Sequence, residues 1–141
     1  MNYRVLGKST LKISEISFGG MSLTGTPVED TRLLLEALDR GINFFDTADL
    51  YGKGANEELL GKAFQGKRAQ VIIATKAGNQ WRKDGSGWDW NPRKEYILSC
   101  VEESLRRLQT DYIDLYQLHG GTIEDPIDET ISAFELLKQQ G

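Results

Sequence analysis

Four short strand-like runs, residues 15–20, 42–48, 70–76 and 112–119, are each followed by a segment whose apolar residues repeat at helical spacing. This alternation constrains the fold more than any other feature of the chain. Near-continuous apolar strands separated by amphipathic helices form a parallel sheet covered by helices. The helical segments are 28–41, 56–64, 91–110 and 124–141. Ahead of them, runs 3–6 and 11–14 flank a Gly-Lys-Ser-Thr turn and read as a hairpin. The expected order is a hairpin and then four βα units.

Each helix carries its own punctuation. In 28–41, Glu29 and Asp30 suit the positive end of the first turn, Leu34, Leu35, Ala37 and Leu38 make the inner face, and Gly41 stands at the stop. Leu59, Leu60 and Ala63 mark the second helix. The third is expected to start with Asn91 as N-cap and Pro92 at its first position, with a stripe of Ile97, Val101, Leu105 and Leu108. The fourth is expected to have Asp125 as cap, Pro126 next, and Ile127, Ile131, Phe134 and Leu137 facing inward. Cys100 lies on the third helix and reads as core filling. One long insertion, 77–91, holds all three tryptophans, and it either walls a substrate pocket or forms a surface loop.

Composition narrows the partners. A net charge of −4 without a basic run argues against nucleic acid and against an anionic membrane surface. No apolar stretch approaches the ~18 residues of a spanning helix. The first residues, MNYRVLGKST, lack a basic segment leading into an apolar one, and a single cysteine suits a reducing compartment. A cytoplasmic protein is expected.

The carboxyl ends of the four strands carry Gly19-Gly20, Asp46, Lys76 and His119, with Tyr51 in the loop after the second strand. Parallel α/β sheets bind ligands at that rim and draw reactive groups from several strands. A phenol, ordinarily titrating near pH ~10, is a poor proton donor at neutral pH unless a cation stabilises its phenolate. Lys76 can supply that charge, Asp46 can hold Lys76 in place, and His119 can hydrogen-bond a substrate oxygen from the other side. Taken singly, Asp46 reads equally as a turn cap, Lys76 as a solvated charge, His119 as a structural histidine and Tyr51 as a turn aromatic. Glycine at a strand end is often only a tight turn.

The stretches "FFDTADLYG", "NEELLG", "VIIATK" and "YIDLYQLH" closely resemble the aldo-keto reductase superfamily, over essentially the whole chain. The resemblance implies a (β/α)8 barrel of TIM type, with the hairpin of residues 1–14 plugging its bottom and residues 15–141 supplying the first four βα units of one partial domain. It implies that Asp46, Tyr51, Lys76 and His119 are the catalytic tetrad. It also implies that Gly20, Met21 and Asp46 touch the nicotinamide end of NADPH, or less often NADH. No residue is assigned to a metal. The implied reaction is reversible reduction of a small aldehyde or ketone to an alcohol, with Tyr51 as general acid. Two alternatives stand beside it: a nucleotide-sensing regulatory subunit of the same fold, and an inactive truncated fragment. The latter follows because such a barrel typically has about 250 residues, so the chain is expected to be a partial sequence.

Overall fold

A computed structural model of the chain describes residues 1–23, 26–121 and 128–141. Strands β1 (Tyr3–Val5) and β2 (Lys12–Ser14) pair antiparallel, Tyr3 opposite Ser14, as the expected hairpin. Four further strands build one parallel sheet: β3 (Phe18–Gly19), β4 (Phe44–Asp46), β5 (Ile72–Ala77) and β8 (Leu115–Leu118), in that order. Each strand therefore neighbours its predecessor in the βα series, and no step reverses direction. A doubly wound sheet needs such a reversal; a sequential order is that of a barrel wall.

The helices between them are α1 (Pro27–Asp39), α2 (Ala55–Ala63), α3 (Lys94–Leu108) and α4 (Asp128–Gln140). Each packs on the next. Strand periodicity divides the side chains. Phe45, Ile73, Thr75 and Ala77 face the helices and are buried. Phe45 and Phe64 meet at 4.6 Å between ring centroids, inside a core that includes Leu34, Leu60 and Leu108. A second cluster joins Ala77, Ile97, Cys100 and Ala133. Burial pushes the Cys100 thiol up to about 12, which keeps it neutral and fits its expected role as core filling.

The hairpin sits at the amino ends of the strands, opposite the rim that carries the polar set. Asn43, just before β4, accepts the Ser14 amide through Oδ1 at 2.7 Å and donates from Nδ2 to the Lys12 carbonyl at 2.9 Å.

Several expected boundaries shift. The sheet strands are shorter than their apolar runs, because pairing partners exist for only two to six residues of each. α3 does not begin at Asn91. Asn91 donates its backbone N–H to the Gly78 carbonyl at 2.8 Å, which closes the insertion, and α3 starts after an extended Arg93. Leu105 is only partly buried, while the other three residues of its stripe are buried. Ile131 does not face inward. Thr130 and Ala133 point to the core, Thr130 donating to the Pro92 carbonyl at 2.6 Å, and this rotation leaves Ile131 exposed. Asp125, Pro126 and Ile127 lie outside the described residues.

The insertion is the largest departure. It folds into its own hairpin, β6 (Asn79–Trp81) with β7 (Trp88–Trp90), Trp81 opposite Trp88. Among the described residues, no helix is long and apolar enough to cross a membrane.

Candidate active site

Register places the polar set on one face. Asp46 pairs with Ala74, and Ala74 with Leu115. Paired residues of parallel strands point the same way, and every second residue shares a face. Asp46, Lys76 and the position of His119 therefore share the sheet face turned away from the helices, at the carboxyl ends of β4, β5 and β8. His119 continues the β8 ladder, its N–H donating to the Ala77 carbonyl at 2.8 Å.

Tyr51 reaches the rim by a tight turn. The chain leaves β4, and the Tyr51 N–H donates to the Ala48 carbonyl at 3.2 Å as a 3-10 turn (Tyr51–Gly54) begins. Lys76 is the centre of the set. Its Nζ donates to Asp46 Oδ1 at 2.6 Å and to the Thr47 carbonyl at 2.8 Å, and lies 3.4 Å from the Tyr51 hydroxyl. The last distance is long for a hydrogen bond, so the ammonium acts on the phenol mainly through its charge. Tyr51 and His119 meet edge to face, centroids 5.6 Å apart. Burial, and then the Lys76 charge, hold the His119 imidazole below its ordinary pKa, so it is neutral at pH 7. Its Nδ1 is buried with no hydrogen-bond partner among the described residues. All four tetrad positions thus come together.

Gly20 closes the site from the β3 side. A Cβ there would stand 2.7 Å from Asn56 Oδ1 and 3.0 Å from the Asp46 carbonyl, so a side chain is excluded. Asn56 fixes this approach: it accepts from Thr47 Oγ1 at 2.6 Å and donates to the Gly20 carbonyl at 2.7 Å. Met21, next in the chain, is exposed on the same rim.

Three groups behind the rim escaped the sequence reading. Thr47 holds Lys76 through its carbonyl, which no side-chain pattern reveals. Glu57 is fully buried, accepting from Thr75 Oγ1 at 2.5 Å and from Arg107 Nε at 2.6 Å. Arg107 is fifty residues away, so no local spacing signals the pair. Asp49, in "DTADLYG", is the third.

Burial pushes the Asp49 carboxyl up to about 6, with the Glu57 carboxylate adding and the Cys100 thiol and Arg107 opposing. Its Oδ1 has no hydrogen-bond partner among the described residues. The native value lies above the ~3.9 of an unfolded aspartate. Its contribution to stability is therefore full below about pH 4 and is lost as pH rises through about 6. Asp49→Asn is expected to match the parent in acid and to exceed it by about 1–2 kcal/mol above pH ~7, after allowing for partial exposure. Urea unfolding at both pH values checks this; a difference that does not change with pH contradicts it.

The family model for the aldo/keto reductase family matches residues 15–141. The chain is 57% identical over 141 residues to "Uncharacterized oxidoreductase YqkF" of Bacillus subtilis, covering all of this chain and 46% of that protein. It superimposes on the solved holo form of aldo-keto reductase AKR11C1 from Bacillus halodurans with a TM-score of 0.96 and 57% identity, covering all of this chain and 47% of that one. It is 34% identical to a probable voltage-gated potassium channel subunit beta of Arabidopsis thaliana, covering all of this chain and 44% of that protein. The chain spans less than half the length of these relatives, and its sheet is a partial (β/α)8 barrel. By fold and by sequence, the chain belongs to the aldo/keto reductase family.

Proposed function

We propose that the protein is an NADPH-dependent reductase of small aldehydes and ketones, working reversibly on the corresponding alcohols in the cytoplasm. In this reading residues 1–14 plug the barrel bottom and residues 15–141 carry the catalytic half of the rim. The observation that carries the reading is the Asp46–Lys76–Tyr51 chain of contacts, 2.6 Å and then 3.4 Å, with His119 packed on the Tyr51 ring.

The residues fit a nicotinamide and a carbonyl. The unpartnered Nδ1 of a neutral His119 is a buried polar atom on the rim without an internal use, and the Tyr51 ring packs edge to face on the same imidazole. Gly20, Met21 and Asp46 would hold the nicotinamide end. Bound there, NADPH supplies a hydride to the carbonyl carbon. Tyr51 gives its proton to the carbonyl oxygen as negative charge develops, and the Lys76 ammonium stabilises the phenolate left behind. Asp46 and the Thr47 carbonyl keep that ammonium aimed. His119 orients the carbonyl oxygen by a hydrogen bond. NADH fits the same chemistry and is the less favoured donor.

Turnover of NADPH with a panel of small aldehydes tests the reading in the full-length protein. Lys76→Met is expected to lower kcat on the order of 10²-fold. Asp46→Asn should lower it less, because the Thr47 carbonyl still holds Lys76. Parent-like turnover in both variants would remove the proposed electrostatics.

A further inference from the structure

The 77–91 insertion makes contacts that a solvated loop does not need. Asn79 Nδ2 donates to the carbonyl of His119 itself at 2.7 Å. Trp90 lies against the backbone on both sides of that residue pair. A Cβ on Gly78 would fall 2.7 Å from Trp90 Cζ3, and one on Gly121 would strike the same ring. Gly78 and Gly121, like Gly120 between His119 and the ring, have φ of +132°, +96° and +94° respectively, where side chains are strained in any case. The indole is therefore seated on bare backbone immediately after His119. At the other end of the hairpin, Lys53 Nζ stands 4.8 Å from the Trp81 ring centroid. Lys53 belongs to the turn that begins at Tyr51. Trp81 in turn packs edge to face on Trp88 at 5.4 Å.

We propose that the β6–β7 hairpin is a positioning brace: Asn79 and Trp90 fix the His119 end of β8 while Trp81 fixes the Tyr51 turn, and together they set the Tyr51–His119 contact. The hairpin touches both elements that hold those rings, His119 at its Asn79 end and the Tyr51 turn at its Trp81 end. The brace is needed because the space behind it is not filled. A cavity of about 230 Å³ lies there, lined by Asp49, Lys53, Asn79, Trp81 and Tyr96 among others. Tyr96 donates to the Asn79 carbonyl at 3.0 Å across its edge. A hairpin released from His119 has room to move, and its withdrawal would uncover the imidazole to water. Asn79, Trp81 and Trp90 are thus positioning residues acting through His119 and Tyr51. The inference rests on the reading of those two as the carbonyl-facing groups.

The test uses the full-length protein. The His119 imidazole is followed by NMR titration, its signal identified by its loss in His119→Gln, alongside kcat for a small aldehyde and NADPH affinity. Lys76 and Asp46 are the charges that act on this imidazole, and neither is altered in the test. In Asn79→Ala and Trp90→Leu the titration midpoint is expected to rise toward the ordinary histidine value as water enters, with kcat down on the order of tenfold and NADPH affinity unchanged. Asp89→Ala, which opens only the exposed Arg82–Asp89 pair in the same hairpin, should keep the parent midpoint and kcat. An unchanged midpoint in Asn79→Ala overturns the proposal, as does a parent kcat beside a shifted midpoint. If Trp90→Leu does not fold, Asn79→Ala decides, because it removes little more than a half-buried amide. If the parent turns over no carbonyl, the functional reading fails, while the imidazole midpoint still decides the brace.

Discussion

Tyr51→Phe in the full-length protein is expected to lower kcat by about 10²-fold or more, with NADPH affinity close to the parent value. The substitution removes one hydroxyl. In the folded protein that hydroxyl stands 3.4 Å from Lys76 Nζ, whereas Asp46 and the Thr47 carbonyl hold the ammonium at 2.6 and 2.8 Å. Lys76 therefore keeps its place without the phenol, and stability should change little. On the proposed function, what is lost is the proton donor at the moment charge develops on the substrate oxygen. Steady-state kinetics with a cofactor titration by fluorescence checks both halves. Near-parent turnover would take Tyr51 out of the acid role.

Arg107→Met is expected to have the largest effect on stability, about 3–5 kcal/mol. Arg107 is 14% exposed and Glu57 is 0% exposed. Removing the guanidinium leaves a carboxylate inside the core with only the Thr75 hydroxyl as side-chain hydrogen-bond partner among the described residues. Coulomb attraction no longer offsets the cost of desolvating that charge. Adding Glu57→Gln removes the charge, and the double variant should recover part of the loss. Thr75 precedes Lys76 on β5, so activity should fall with stability in the single variant and return in part with the double. Guanidinium unfolding of the three proteins measures this; equal losses in the single and double variants would contradict the account.

The sequence made the fold class readable because it repeats one physical pattern. Apolar strands and amphipathic helices alternate four times, and three of the four strand ends carry one polar residue each. Asp46, Lys76 and His119 could be placed on a common rim because they end three successive strands of one parallel sheet. Other features depend on distant partners. Asn91 has every local property of a helix cap, but its backbone is taken by Gly78, thirteen residues earlier, once the insertion folds. That insertion carries a turn dipeptide, Asp84-Gly85, but its strands are joined by six residues rather than two: β6 and β7 are linked by 82–87, with Arg82 and Gly87 closing the loop through a 2.9 Å backbone bond. Ile131 fits an inward stripe by spacing, yet the Thr130 hydrogen bond to Pro92 sets a different helix rotation. Glu57 looks like an ordinary acidic residue of a helix first turn. Only the arrival of Arg107 from α3 makes its burial tolerable.

If the rim residues reduce a carbonyl rather than only bind a nucleotide, hydride must pass from the cofactor to the product. The most direct measurement is transfer of label from NADPH deuterated at nicotinamide C4 to a small aldehyde by the full-length protein, read by mass spectrometry of the product. The expected product is an alcohol with deuterium on the former carbonyl carbon, formed by the parent at a rate that falls on the order of 10²-fold in Tyr51→Phe. Tight NADPH binding with no labelled alcohol from any aldehyde or ketone tried would contradict the proposed function and assign the site to sensing instead.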